Sequence, residues 1–346
     1  MKAIGYTQSL PISNVDSLMG IELPQPVATG RDLLVRVAAI AVNPVDYKVR
    51  LKAAPSEGEF KVLGWDAVGE VVAVGEDVSE FSLGDHVYYA GDITRQGSNA
   101  EYQLVDERIV GKKPKSLSHA EAAALPLTAI TAWEMLFEHL AIKQQPPTSK
   151  DKSAEVILVV GAAGGVGSIL LQLAKAITGA TIIATASRES SQQWVKKLGA
   201  DYVVDHSTAL KPQIDALIAN EGVGQVTHVA SLNSTASYFD TYIDLLVPFG
   251  KIAMIDDPET PLDIMKLKMK SLSFHIEFMF ARSMFNAADM QEQSHLLNRV
   301  AELIDLGYIQ TTVGKNLGVI NAENLKAAHQ ELESGTSIGK LVLQGF

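Results

Sequence analysis

Short apolar runs broken by glycine dominate the first 125 residues. LLVRVAAIAV (33–42), AVGEVVAVG (67–75), DHVYYAG (85–91) and EYQLVDERIVGK (101–112) carry the valine and tyrosine that suit a pleated surface. Their spacing predicts a partly open β-barrel with loops over it. Helical patterning first becomes strong in SHAEAAALPLTAITAWEMLFEHLAI (118–142), where Ser118 followed by Glu121 predicts a capping box. KQQPPTSKDKSA (143–154) is a polar, proline-bearing surface loop. After it the pattern alternates. VILVVG, TIIATAS and ADYVVDH read as strands, SILLQLAKAIT and SQQWVKKLG as the helices between them, and VTHVASL and GKIAMID continue the series. Apolar strands alternating with helices predict a doubly wound parallel sheet buried on both faces.

SLSFHIEFMF (271–280) returns to period two. Leu272, Phe274, Ile276, Phe278 and Phe280 fall on one face, and Ser271, Ser273, His275, Glu277 and Met279 on the other. This predicts a strand with one buried face at a sheet edge, where it pairs with a second copy of the chain as a homodimer. A helix around 287–306 and the strand SIGKLVLQGF follow. There is no internal repeat.

Composition narrows the picture. At 346 residues the length favours two domains, and 47% hydrophobic residues supply sizeable cores. Lys and Arg total 29 against 40 Asp and Glu, a formal net charge of -11, which opposes binding to nucleic acid. The absence of cysteine excludes disulfides, thiol nucleophiles and zinc sites built on thiolates. The first residues lack the apolar run of a signal peptide, and no segment reaches about 18 uncharged apolar residues, so a cytoplasmic protein without a membrane partner is expected. The eight histidines show no HExxH or i, i+4 pair, and no GxSxG elbow is present.

VILVVGAAGGVGSILLQLAKA (156–176) is the strongest chemical signal. Apolar strand, glycine turn and helix occur in the order of a dinucleotide site. Gly161, Gly164 and Gly167 permit a tight turn, close approach of backbone to a pyrophosphate, and close helix packing, with the phosphates on free N–H groups at the helix start. Where an NAD site usually carries an acidic residue for the ribose, TIIATASRES offers Ser187 and Arg188. A hydroxyl and a guanidinium suit a 2′-phosphate, so NADPH is the expected cofactor. The alternative is a solvated Arg188 with Glu189 reaching the ribose.

AVNPVDYKVR (41–50), LGWDAVGEVVAVG (63–75), FSLGDHVY (81–88), AAALPLTAITAWEML (122–136), GAAGGVG (161–167) and KKLGADYVVDH (196–206) together resemble the medium-chain dehydrogenase/reductase superfamily. Within it the chain resembles the quinone oxidoreductase branch and its zinc-type alcohol dehydrogenase-like relatives. The resemblance spans essentially the whole chain. It implies an α/β fold: a GroES-like partly open barrel over 1–125, completed by about 283–346, and a Rossmann NADP-binding domain over 126–282. Zinc-dependent members have a Cys where this chain has Asn43 and a Gly-His-Glu where it has Gly64-Trp65-Asp66. With no cysteine and no such histidine, no metal is expected.

Zinc serves such enzymes as a Lewis acid for a localised alkoxide. A quinone or α,β-unsaturated carbonyl instead spreads the arriving charge into a hydroquinone or enolate anion, which hydrogen bonds can hold. The expected activity is therefore zinc-independent, NADPH-dependent hydride transfer to such an acceptor. By resemblance, Asn43 lies near the nicotinamide, Asp46 orients its neighbours, and Tyr47 and Lys48 are further donors. Asn43 and Asp46 equally suit a turn before a helix. Trp65 is expected to fill the lost metal site and wall the substrate pocket, with Asp66 in a structural role. The resemblance places Thr128 on the nicotinamide, Gly164, Gly165 and Val166 on the pyrophosphate, and His206 by the adenine, unless His206 simply faces solvent. Two alternatives stand beside this: an NADPH-binding sensor or structural protein with little turnover, and a metal-dependent alcohol dehydrogenase with unusual ligands.

Overall fold

The structure, a computed structural model, describes residues 1–346 as two compact units. Met1–Ile130 and Met279–Phe346 form the first, and the continuous stretch Thr131–Phe278 forms the second. In the first unit, β1 (Lys2–Tyr6), β2 (Met19–Glu22), β3 (Asp32–Val42), α1 (Pro44–Lys52), β4 (Lys61–Val62) and β5 (Asp66–Val74) come first. They are followed by β6 (His86–Tyr89), β7 (Tyr102–Asp106), β8 (Val110–Lys112), α2 (His119–Ala123) and the start of α3 (Pro126–Trp133).

The second unit contains β9 (Val156–Val160), α4 (Gly165–Ile177), β10 (Thr181–Thr185), α5 (Glu189–Lys197) and β11 (Tyr202–Val204). It continues through α6 (Leu210–Glu221), β12 (His228–Ser231), α7 (Thr235–Leu245), β13 (Lys251–Met254) and β14 (Ser273–Ile276). The chain then re-enters the first unit with α8 (Ala281–Met284), α9 (Glu292–Asp305), β15 (Val313–Asn316), α10 (Ala322–Glu333) and β16 (Lys340–Gln344).

The first unit holds a three-stranded sheet, β2-β1-β4, and a seven-stranded sheet ordered β15-β16-β3-β5-β6-β8, with β7 also on β3. β3 is the axis of this sheet, and its apolar run LLVRVAAIAV lies almost wholly inside. Its register decides what meets at its end. Ala41 pairs with Asp66 on β5, and Val42 pairs with Leu341 on β16. Asp66, Asn43 and Lys340 are thereby drawn to one spot from three distant parts of the sequence.

The second unit is a six-stranded sheet ordered β11-β10-β9-β12-β13-β14, every neighbouring pair parallel. β9 is buried at every position, as expected of a central strand covered by helices on both faces. The doubly wound Rossmann sheet and the barrel-type companion expected from the sequence are thus both present.

Two elements differ from expectation. The helical run 118–142 is three pieces: α2, with Ser118 and Glu121 forming the predicted capping box, then α3, then a π-helical segment Glu134–His139. Pro126 has no N–H to continue α2, so it opens a new helix, the position where proline is tolerated. The period-two run 271–280 is a strand only over Ser273–Ile276. Phe274 packs edge-on against Phe239, but Ile276 is 65% exposed and Phe278 47%, while Glu277 is buried against His139 at 2.7 Å. The expected buried face already fails within β14, where Ile276 pairs with Met254 yet is exposed at the sheet edge; beyond it the chain leaves the sheet, so Phe278 and Phe280 do not extend the strand.

Candidate active site

The first unit's chemistry gathers at the end of β3. Gly64 sits at φ +102, and a Cβ there would lie 2.5 Å from both Asn99 Oδ1 and Ser98 Oγ, so only glycine lets the loop 97–99 close over this turn. Ser98 Oγ donates to the backbone carbonyl of Asp66 at 3.1 Å, holding the turn shut. Asp66 is fully buried. Its Oδ1 accepts the backbone N–H of Leu127 at 2.7 Å, one of the free donors in the first turn of α3. Its Oδ2 accepts from Asn43 Nδ2 at 2.7 Å and from Lys340 Nζ at 2.9 Å.

Lys340 is the member of this cluster to which no motif in the sequence points. Its ammonium, 4% exposed, donates to Val42 O at 3.1 Å, to Asp66 Oδ2 and to Asn43 Oδ1. Those three bonds exhaust its donors. Asp46 completes the cluster by accepting the Asn43 backbone N–H at 2.8 Å. Burial pushes the Asp46 carboxyl up to about 7, and Asp66 adds to this, against the opposing pull of Lys340 and the N–H groups of Asn43 and Gly64. One ammonium faces two buried carboxylates, and Asp66 holds it by direct contact.

Of the other expected residues, Tyr47 and Lys48 follow on α1, both half-buried. Trp65 is 1% exposed and meets Phe280 edge-on, ring centroids 5.9 Å apart, and its indole N–H has no hydrogen-bond partner. Thr128 is buried on α3, its hydroxyl donating to Leu125 O at 3.0 Å. A catalytic zinc needs three ligands drawn from Cys, His and carboxylates. Here the ammonium of Lys340 engages Asn43 and Asp66, and the histidine position holds an indole. This donor set does not fit zinc, and no group of three or more His, Asp or Glu elsewhere is arranged to hold a metal ion.

The second unit presents the glycine turn between β9 and α4. Gly161 lies at φ +80, and a Cβ on Gly167 would stand 2.4 Å from Ala162 O, so both positions demand glycine for the fold itself. Gly164 differs: a Cβ there would meet Gly161 O at an ordinary 3.5 Å. The fold therefore does not need Gly164 bare. As N-cap of α4 it supplies no side-chain cap, which leaves the first N–H groups of the helix, those of Gly165 and Val166, for an anion. This cradle fits a pyrophosphate. At the ends of β10 and β11, Ser187 Oγ and His206 Nε2 stand 3.1 Å apart, with Tyr238 Oη donating to the His206 carbonyl at 3.3 Å. Arg188 follows as the exposed N-cap of α5. The sheet thus brings Ser187, Arg188 and His206 together beyond the carboxyl ends of its strands, where doubly wound folds bind ligands.

Known proteins share the two domain types and the fold. The family model for the alcohol dehydrogenase GroES-like domain matches residues 29–115, and that for zinc-binding dehydrogenases matches 165–298. A zinc-type alcohol dehydrogenase-like protein of Staphylococcus aureus is 41% identical over 344 residues, 99% of each chain. The 2-methylene-furan-3-one reductase of Solanum lycopersicum is 38% identical over 247 residues, 65% of this chain and 58% of that protein. Among solved structures, a protein of Rhizobium etli described as a zinc-dependent alcohol dehydrogenase matches at 51% identity and TM-score 0.94, covering 100% of this chain and 98% of that one. The fold recurs in the quinone oxidoreductase of Escherichia coli solved with NADPH, at 23% identity and TM-score 0.81 over 99% and 100% of the two chains. The chain belongs to the medium-chain dehydrogenase/reductase superfamily of oxidoreductases. Within that class it groups with the zinc-type alcohol dehydrogenase-like proteins while lacking the zinc ligands.

Proposed function

We propose that the protein is a zinc-independent, NADPH-dependent oxidoreductase that reduces a quinone or an α,β-unsaturated carbonyl. The observation that carries this reading is the Lys340 ammonium bonded to Asn43 and Asp66, two of the positions that the resemblance aligns with the zinc-site motifs of metal-dependent members. Without a Lewis acid an isolated ketone is a poor hydride acceptor, because its charge stays on one oxygen. A conjugated acceptor spreads that charge and needs only orientation and one or two hydrogen bonds. The furanone reductase relative acts on a substrate of this class by its name.

In this reading the N–H groups of Gly165 and Val166 hold the pyrophosphate over Gly164, and Ser187 and Arg188 take the 2′-phosphate. His206 lies by the adenine and Thr128 by the nicotinamide. A reduced nicotinamide supplies the hydride when bound. Trp65, buried against Phe280, fills the place of the lost metal. Among Asn43, Asp46, Tyr47 and Lys48, the amide of Asn43 is turned inward onto Asp66 and Lys340, whereas the Tyr47 hydroxyl has no internal partner. Tyr47 is then the donor to the acceptor oxygen, with Asn43 and Asp46 holding the start of its helix. The open edge of β14 carries the exposed Ile276, and in this reading it pairs with a second copy.

Steady-state NADPH oxidation over a panel of quinones and enones, repeated with NADH, tests the proposal. Turnover of several acceptors with a preference for NADPH is expected. Tight NADPH binding without oxidation of any acceptor overturns it in favour of a sensor, and an NADH preference overturns the roles of Ser187 and Arg188. Light scattering of the purified protein tests the dimer, with a monomer at micromolar concentration counting against it.

A further inference from the structure

We propose that Lys340 is a positioning residue that sets the first turns of α1 and α3 and so places Tyr47 and Thr128 for reaction; this rests on the reductase reading above. The buried cluster offers no other cation within hydrogen-bond reach, and its geometry leaves little freedom. Lys340 donates only, and the Asp66 oxygens receive three donors, from Leu127, Asn43 and Lys340. The Asn43 amide therefore has one satisfied orientation, Oδ1 on the ammonium and Nδ2 on the carboxylate. Turned over, it would set its oxygen against Asp66 and its N–H groups against Lys340.

Each end of this arrangement grips a helix. Asn43 is the N-cap of α1, and its backbone N–H is held by Asp46 in the first turn, one residue before Tyr47. Asp66 holds the N–H of Leu127 in the first turn of α3, one residue before Thr128. Lys340 bonds to both Asn43 and Asp66, and to the carbonyl of Val42 directly ahead of α1. With all three donors used inside the fold, the ammonium has none for a substrate. It acts through the groups it holds.

Removing the ammonium strips Asn43 Oδ1, Asp66 Oδ2 and the Val42 carbonyl of a donor, which loosens the hold on both helix starts, and a displacement on the scale of 1 Å at reacting groups costs on the order of 100-fold. The test compares Lys340→Met, Lys340→Arg and the surface control Lys143→Met in the full-length protein. K340M is expected to lower kcat on a conjugated acceptor about 10- to 100-fold, with the NADPH dissociation constant within about threefold of the parent. K340R, which keeps the charge, is expected to recover a large part of that loss. Combined with Tyr47→Phe, the K340M loss should be far from additive, because both act on one group.

A second readout needs no turnover. In protein labelled with 3-fluorotyrosine, the Tyr47 fluorine resonance, assigned among the nine tyrosines by Y47F, is expected to shift in K340M and stay put in K143M. An unshifted Tyr47 resonance in folded K340M overturns the proposal, as does full additivity with Y47F. Should K340M fail to fold, K340M/D66N removes the directly bonded pair of charges together and carries the same measurements. A parent protein inactive on every acceptor refutes the reductase reading alone, and the fluorine spectrum still decides the role of Lys340.

Discussion

The two polar centres of this molecule are built on opposite terms. At the end of β3, Asn43, Asp46, Asp66 and Lys340 lie out of water, and the chain itself supplies each of them with a hydrogen-bond partner. At the turn between β9 and α4, the N–H groups of the helix start have no side-chain cap and follow a glycine the fold does not require. The first centre has spent its hydrogen bonds on holding its own shape. The second leaves its first N–H groups without a side-chain partner. Damage to the first should therefore appear as lost stability, and damage to the second as lost binding in a protein that folds as before.

The largest expected effect breaks the closed centre. Asp66→Ala strands a buried ammonium together with the Asn43 amide and the Leu127 N–H, and should cost about 3–5 kcal/mol in urea unfolding. A loss under about 1 kcal/mol would mean that water reaches the cluster. Next comes its pH dependence. The folded carboxyl of Asp46 is raised to about 7 from an ordinary 3.8, so its contribution is fully present below about pH 4 and is lost as pH rises through 7. Stability should fall by about 2–4 kcal/mol across that window, and Asp46→Asn should flatten the curve.

The open centre should respond on a smaller scale. Gly164→Ala is expected to leave the unfolding midpoint unchanged while raising the NADPH dissociation constant about tenfold, or roughly 1.4 kcal/mol, as seen by nucleotide fluorescence. If stability falls instead, the turn is not the open element described above. Arg188→Ala should weaken NADPH about three- to tenfold and leave NADH unaffected, since only the former carries the 2′-phosphate. Equal losses for both nucleotides would move Arg188 away from that role.

The same contrast explains what was legible in the sequence. The glycine turn, its strand and its helix are consecutive, and the alternation of β9, β10 and β11 with α4 and α5 says which loops meet. Ser187, from its place after β10, and His206, from the resemblance, are expected on the same nucleotide, and they lie 3.1 Å apart. Asp66 read as a structural carboxylate because glycines surround it and no metal ligand does. Lys340 left almost no trace. In SIGKLVL it is a single lysine opening an apolar strand, ordinary for a strand end, and only the pairing of Leu341 with Val42 reveals that it faces Asn43. The break at Pro126 was written in the sequence, since proline cannot continue a helix. The early end of β14 was not, because apolar alternation persists to Phe280 while the backbone has already left the sheet.

The insertion of one unit within the other has a consequence for the order of events during synthesis. Asp66 and Lys340 are separated by 274 residues, which at about 5–20 residues per second is a delay of roughly 14–55 s. Throughout that interval the whole of Thr131–Phe278 emerges as one uninterrupted piece and is free to fold. Asp66, Asn43 and the strand that carries them must wait, their cation not yet made. The nascent chain should therefore gain its nucleotide cradle well before its barrel acquires a settled interior. A ribosome paused ahead of Lys340 would hold a polypeptide whose glycine turn is formed while its buried polar cluster still lacks its cation.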